Sequence, residues 1–148
     1  MNMVLKPQDI LVLLKIISQG SRNSSYAVLA KSLHMSPSEV HAGLRRAQQA
    51  RLYAEVTCQP LKYNFLEFLI HGVKYAFPVE IGSQTRGILT SYAAPVMKDL
   101  IEIDDVSLPP VWPSVHGNVL GLAFSPLYKS VPLAAAEDSD LYDLLCLV

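Results

Sequence analysis

Apolar residues recur along the first half of the chain at helical spacing. Ile10, Leu13, Leu14 and Ile17 fall on one face, led in by Lys6-Pro7-Gln8-Asp9 and stopped by Gly20, and predict a first helix. Beyond a polar loop with a capping serine, Tyr26, Leu29, Ala30 and Leu33 form the apolar stripe of a short second helix, and His34-Met35 makes a turn. The third helix has the clearest start. Ser36 is a good N-cap, Pro37 suits the first helical position because its missing N–H would have no partner there, and Glu39 completes a Ser-x-x-Glu capping box. Running to Leu52, this helix turns Val40, Leu44, Ala47 and the stem of Arg51 inward, with Gly43 permitting close packing. Ser38, Ala42, Arg45 and Gln49 occupy the opposite side, flanked by His41 and Arg46.

The pattern changes after Leu52. Tyr53 to Thr57 reads as a strand, Gln59-Pro60 as a turn and Leu61-Lys62-Tyr63 as a returning strand. Asn64 and Glu67 repeat the capping logic ahead of a two-turn helix, Phe65 to Ile70, closed by His71-Gly72. Val73 to Phe77 alternates as a half-buried strand ended by Pro78. Regularity then falls. Gly82 to Gly87 and Ser91 to Pro95 read as one long polar loop, and seven of the ten prolines lie after residue 63. Pro109 to Pro113 reads as extended, His116-Gly117-Asn118 as a hairpin turn, Val119 to Phe124 as an apolar strand, and Asp138 or Ser139 to Val148 as a last helix ending without a stop signal. The class is α+β: an N-terminal winged-helix-like helix-turn-helix, 1–62, followed by a smaller irregular strand/helix extension, 63–148.

Composition adds three points. A chain of 148 residues that is 51% apolar can bury a core without staples. Mean hydropathy is +0.27, yet the apolar runs are short and interrupted, and the first residues lack the layout of a signal peptide, so a cytoplasmic protein is expected. The net charge of −1 hides an asymmetry: residues 1–62 carry eight lysines and arginines against three acids, and residues 63–148 carry four against ten. The basic half suits phosphates, and the acidic half suits a partner protein or self-association.

Chemistry is confined to few candidates. Cys58 and Cys146 do not form a disulfide framework or a zinc spacing, and His34, His71 and His116 have no second ligand at metal spacing, so neither metal nor cofactor is expected. Gly82-x-x-x-x-Gly87 lacks the Lys-Ser/Thr of a phosphate loop and reads as a surface loop, with Arg86 as the anchor of any partner contact. Asp104-Asp105 reads as loop or cap rather than a carboxylate pair. No nucleophile or base motif points to an enzyme.

A short helix, a tight turn and a capped second helix form the helix-turn-helix pattern, in which the second helix enters the major groove. Ser25 to Leu52, with Leu29-Ala30, the turn ending at Met35-Ser36, the Ser-x-x-Glu-Val start and the closing Ala50-Arg51-Leu52, resembles the DNA-binding segment of bacterial winged helix-turn-helix regulators of the MarR-like kind, over residues 5–60. The resemblance implies a homodimeric regulator or repressor whose recognition helix, Pro37 to Leu52, lies on duplex DNA, and some such regulators are antitoxins. The alternative is an antitoxin-like module that holds a partner protein through its acidic, proline-rich half. Candidate DNA contacts are Arg22, Ser24, Lys31, Ser36, Ser38, His41, Ala42, Arg45, Arg46, Gln49 and Lys62. Arg45 is expected to read a base, and Arg46, with Lys31 and Arg22, to meet phosphate. Leu141, Leu144, Leu145 and Val148 are candidates for the dimer contact.

Overall fold

Local capping decides where the first helices begin, and the computed structural model, which describes residues 4–20, 22–102 and 107–148, places α1 at Pro7–Gln19, α2 at Tyr26–Leu33 and α3 at Pro37–Gln49. Ser25 Oγ accepts from the Val28 amide at the start of α2, and Ser36 Oγ accepts from the Glu39 amide at 3.2 Å at the start of α3. Gly20 and His34, both at positive φ, end α1 and α2. With 49% of residues helical and 16% in strands, the fold is α+β.

The chain forms two compact units, Met1–Phe77 and Pro78–Val148, so the break falls fifteen residues beyond the Lys62 boundary that composition suggested. In the first unit, α1 buries more than one stripe: Ile10, Leu11, Val12, Leu13 and Leu14 are all at most 2% exposed. α3 ends earlier than expected. Arg51 lies outside it at φ 64 and is exposed, so its stem does not line the core; the reversal is closed by the Leu52 amide donating to the Ala47 carbonyl and by Asn64 Nδ2 donating to the Arg51 carbonyl at 2.9 Å.

A hairpin follows, but a small one. β1 (Tyr53–Ala54) pairs antiparallel with β2 (Gln59–Pro60), Tyr53 opposite Pro60. Gln59-Pro60 is therefore a strand and not the turn; the chain reverses through Glu55 to Cys58, and Cys58 takes the left-handed conformation at φ 53. Pro60 is tolerated because a two-stranded ribbon has only edges, where one missing N–H is no loss. The expected returning strand is instead the start of α4 (Lys62–His71), whose N-cap is Leu61, with Asn64 holding Arg51 rather than capping. Phe65 anchors it at 1% exposure, while Tyr63, Leu66 and Ile70 face outward. Val73 to Phe77 is not a strand but a helical turn, α5 (Val73–Ala76), since Val73 alone of the alternating set is buried and Phe77 folds back edge-on to the Phe68 ring.

The second unit overturns the loop reading. Ile81–Leu89 is a nine-residue strand, β3, and it pairs antiparallel with both β4 (Pro110–Pro113) and β5 (Val119–Phe124), which pair parallel to each other and close a three-stranded barrel. Such closure forces backbones together. A Cβ on Gly87 would sit 2.0 Å from the Trp112 carbonyl oxygen, and one on Gly117 2.3 Å from the Gly87 carbonyl carbon. The glycines that suggested a loop are thus what a tightly closed strand needs. The turn between β4 and β5 is Ser114 to Gly117, one to two residues earlier than His116-Gly117-Asn118.

Two helices complete this unit, α6 (Val131–Glu137) and α7 (Ser139–Leu147), the latter capped by Asp138 Oδ1 accepting from the Leu141 amide. The Tyr142 hydroxyl donates to the Leu89 carbonyl, its ring meets Trp112 edge-on, and Thr90 Oγ1 approaches Cys146 Sγ at 3.7 Å. Leu141 and Leu145 are at most 5% exposed and belong to this core, so they are not available for a dimer contact; Leu144 is half-buried and Val148 is 39% exposed. Asp104-Asp105 lies outside the described residues. No helix among the described residues is long and apolar enough to cross a membrane.

Candidate nucleic-acid interface

The two sides of α3 separate cleanly. Val40, Gly43, Leu44 and Ala47 are buried, and Ser38, His41, Arg45 and Gln49 are exposed, with Ala42 half-buried between them. The cap orders the start of this ridge: Ser36 Oγ also bonds Glu39 Oε1 and lies 3.1 Å from Ser38 Oγ, so Ser36 is engaged at the helix end. The His41 ring sits 5.2 Å from the ring of Tyr26, which is 43% exposed and so belongs to this surface rather than to the apolar stripe of α2.

Neighbouring arginines have different surroundings. Arg46 does not point at a groove wall. Its Nε and Nη2 each lie 2.8 Å from an oxygen of Asp9, a fully buried carboxylate 37 positions away, in a bidentate pair whose hydrogen bond pushes the arginine pKa further up. The second Asp9 partner is the Lys6 amide at 2.9 Å. Gly43 makes room for this carboxylate, because a Cβ there would stand 2.8 Å from Asp9 Oδ1. The assignment of Arg46 to phosphate is therefore replaced by a structural one. Arg45 is exposed, and no acid of the described residues pairs with it.

Asp9 was legible in principle. It stands in helical register with Val12, Leu13 and Ile16, and a carboxylate on a buried stripe requires a cationic or hydrogen-bonding partner. The identity of that partner was not legible, since nothing local links Asp9 to α3.

Two concavities flank the ridge. One, of about 340 Å³, is lined by Val4, Lys6, His41, Ala42, Arg45 and Arg46; the other, of about 650 Å³, by His41, Arg45, Gln48, Gln49 and Glu55. Lys6 is thus brought to the surface where Arg46 was expected, and the hairpin contributes an acid rather than a cation. Arg22 and Ser24 lie elsewhere, lining a smaller hollow of about 140 Å³ with Tyr26, Tyr53 and Cys58, where Arg22 Nε donates to the Gln19 carbonyl and Ser24 Oγ to the Gln19 side chain. Burial raises the Tyr53 pKa, with Cys58 adding to the effect. Lys31 on α2 and Lys62 on α4 are exposed and border neither concavity, and Arg86 is an exposed residue of β3, opposite Leu120, rather than a loop anchor. No cluster of three or more His, Cys, Asp or Glu residues among the described residues could hold a metal.

Comparison of the chain with protein-family models, curated proteins and solved structures finds no match among them. The chemistry of α3 therefore has to carry the functional reading.

Proposed function

We propose that the chain is a cytoplasmic, sequence-specific DNA-binding protein, a repressor-like transcriptional regulator that lays α3 in the major groove and binds as a homodimer. The observation that carries this reading is the exposed ridge Ser38, His41, Ala42, Arg45 and Gln49 on a firmly capped helix whose other side is core. It offers a hydroxyl, a methyl, an amide and an unpaired guanidinium, the groups that read base edges. The cation excess of residues 1–62 adds attraction for phosphates. A single 13-residue helix touches only a few base pairs, and two-fold pairing supplies the rest.

Selection of the full chain on a random duplex pool tests the proposal. The expected result is an enriched site bound with a steep salt slope, and Arg45→Ala should lose about 1–3 kcal/mol of preference at one base position. Absence of duplex binding at low salt overturns the reading. Light scattering at tens of micromolar tests the dimer, and a monomer mass counts against it.

A further inference from the structure

The concavity bounded by Lys6, His41, Ala42 and Arg45 is more than a neighbour of the reading ridge. Its position depends on a buried hub: the Asp9 carboxylate holds the Lys6 amide at 2.9 Å on one side and the Arg46 guanidinium at 2.8 Å on the other. The segment before α1 is thereby tied to α3, and Lys6 is held beside Arg45 whatever its side chain does. Arg46 is neutralised by Asp9, which leaves Lys6 and Arg45 as the cations of this hollow, with His41 as a further donor. The other concavity carries Glu55 against Arg45, so the two flanks of α3 are electrostatically unlike.

We infer that the Lys6 hollow receives one phosphate group of the DNA backbone, so that α3 docks with its N-terminal-segment flank against a strand and its hairpin flank free of phosphate. This rests on the duplex reading of α3. A volume of about 340 Å³ admits a phosphate with part of its sugar, and the Lys6 ammonium provides the charge-assisted donor that such a group accepts, while the Arg45 guanidinium at the rim is left for a base edge. Glu55 would repel a phosphate on the opposite flank, and an acid facing the groove accepts instead from a cytosine amine. Lys6 takes the role that adjacency in sequence had suggested for Arg46.

The test uses the full chain on its selected duplex and on a scrambled one. Lys6→Ala keeps the amide that Asp9 holds, so circular dichroism should be unchanged. It should weaken both duplexes equally and flatten the salt slope by about one unit, so that between 50 and 200 mM salt the variant loses about fourfold less affinity than the parent. Replacing backbone phosphates one at a time by neutral methylphosphonates should reveal one position that weakens the parent but has no further effect on Lys6→Ala. If no position couples to Lys6 while Arg45→Ala still impairs the selected site, the hollow holds no phosphate and the reading of α3 stands. If inorganic phosphate at matched ionic strength binds the parent and not the Lys6 variant yet leaves duplex affinity unchanged, the hollow takes free phosphate rather than the backbone. A parent that binds neither duplex overturns both.

Discussion

The two units differ in what holds them. Met1–Phe77 is helical, and most of its hydrogen bonds close within four residues, so its elements begin at caps written into the chain; the Asp9–Arg46 pair, 37 positions apart, ties its first helix to its third. Pro78–Val148 is organised by strands whose paired residues lie 12 to 43 positions apart and whose closure depends on glycine at crowded crossings. The first unit is vulnerable at a charge and the second at a methyl group. Trp112, the sole tryptophan, lies in the second, so its emission reports that unit alone, whereas most of the far-ultraviolet helical signal comes from the first.

The largest expected effect is Gly87→Ala. A Cβ 2.0 Å from the Trp112 carbonyl oxygen meets backbone on a paired strand and cannot be relieved by a side-chain movement. Loss of more than about 4 kcal/mol is expected, seen as a denatured Trp112 emission with the helical signal largely kept. Native emission in this variant would show that the barrel is not closed at that crossing.

Arg46→Ala should come next, at about 3–5 kcal/mol, because it leaves the Asp9 carboxylate buried without its cation. Thermal melts by circular dichroism should show the loss while Trp112 emission stays native. The double change Asp9→Leu with Arg46→Met should recover most of it, since an apolar pair of similar volume removes the uncompensated charge. A loss below about 1 kcal/mol for Arg46→Ala would mean that solvent screens the pair, and the contrast between the units would weaken.

Ser36→Ala should cost about 1 kcal/mol, and Ser36→Gly only a few tenths, in urea titrations of the helical signal. Equal effects would remove the cap from the account of where α3 begins.

The smallest effect is alkaline. Burial raises the pKa of Tyr142 and of the Cys146 thiol in the second unit, and of Tyr53 in the first. A group whose pKa is higher folded than unfolded stays protonated in the fold; its contribution is whole below the unfolded value and is lost as pH rises through the folded one. The urea midpoint read by Trp112 should therefore hold up to the ordinary thiol value of 9.0 and decline above it. Cys146→Ala should soften the early part of that decline, and an unchanged profile would show that the thiol is not desolvated.

How much was legible follows from distance along the chain. The starts of α2 and α3 were readable because Ser25 and Ser36 accept from amides three residues on and Pro37 fits the first helical position. The exposed ridge of α3 followed from its period, and so did Val40, Leu44 and Ala47 as core. Val73 to Phe77 failed because five alternating residues suit a strand only where a partner strand exists, and none among the described residues pairs with it. Leu141 and Leu145 were correctly read as apolar, but apolarity does not say whether a residue meets its own unit or another copy.

By itself, then, the sequence determined the local matters: helical periods, capped ends, an α+β class and an exposed polar face on α3. Only the tertiary structure decided that Arg46 serves Asp9 and Lys6 stands in its place, that Ile81–Leu89 is a central strand, and that Gly87 and Gly117 are crossings rather than loop. The reason is physical. A helix satisfies its backbone within one turn, whereas a strand, a buried carboxylate and a close backbone approach are each satisfied by a partner that folding alone brings near.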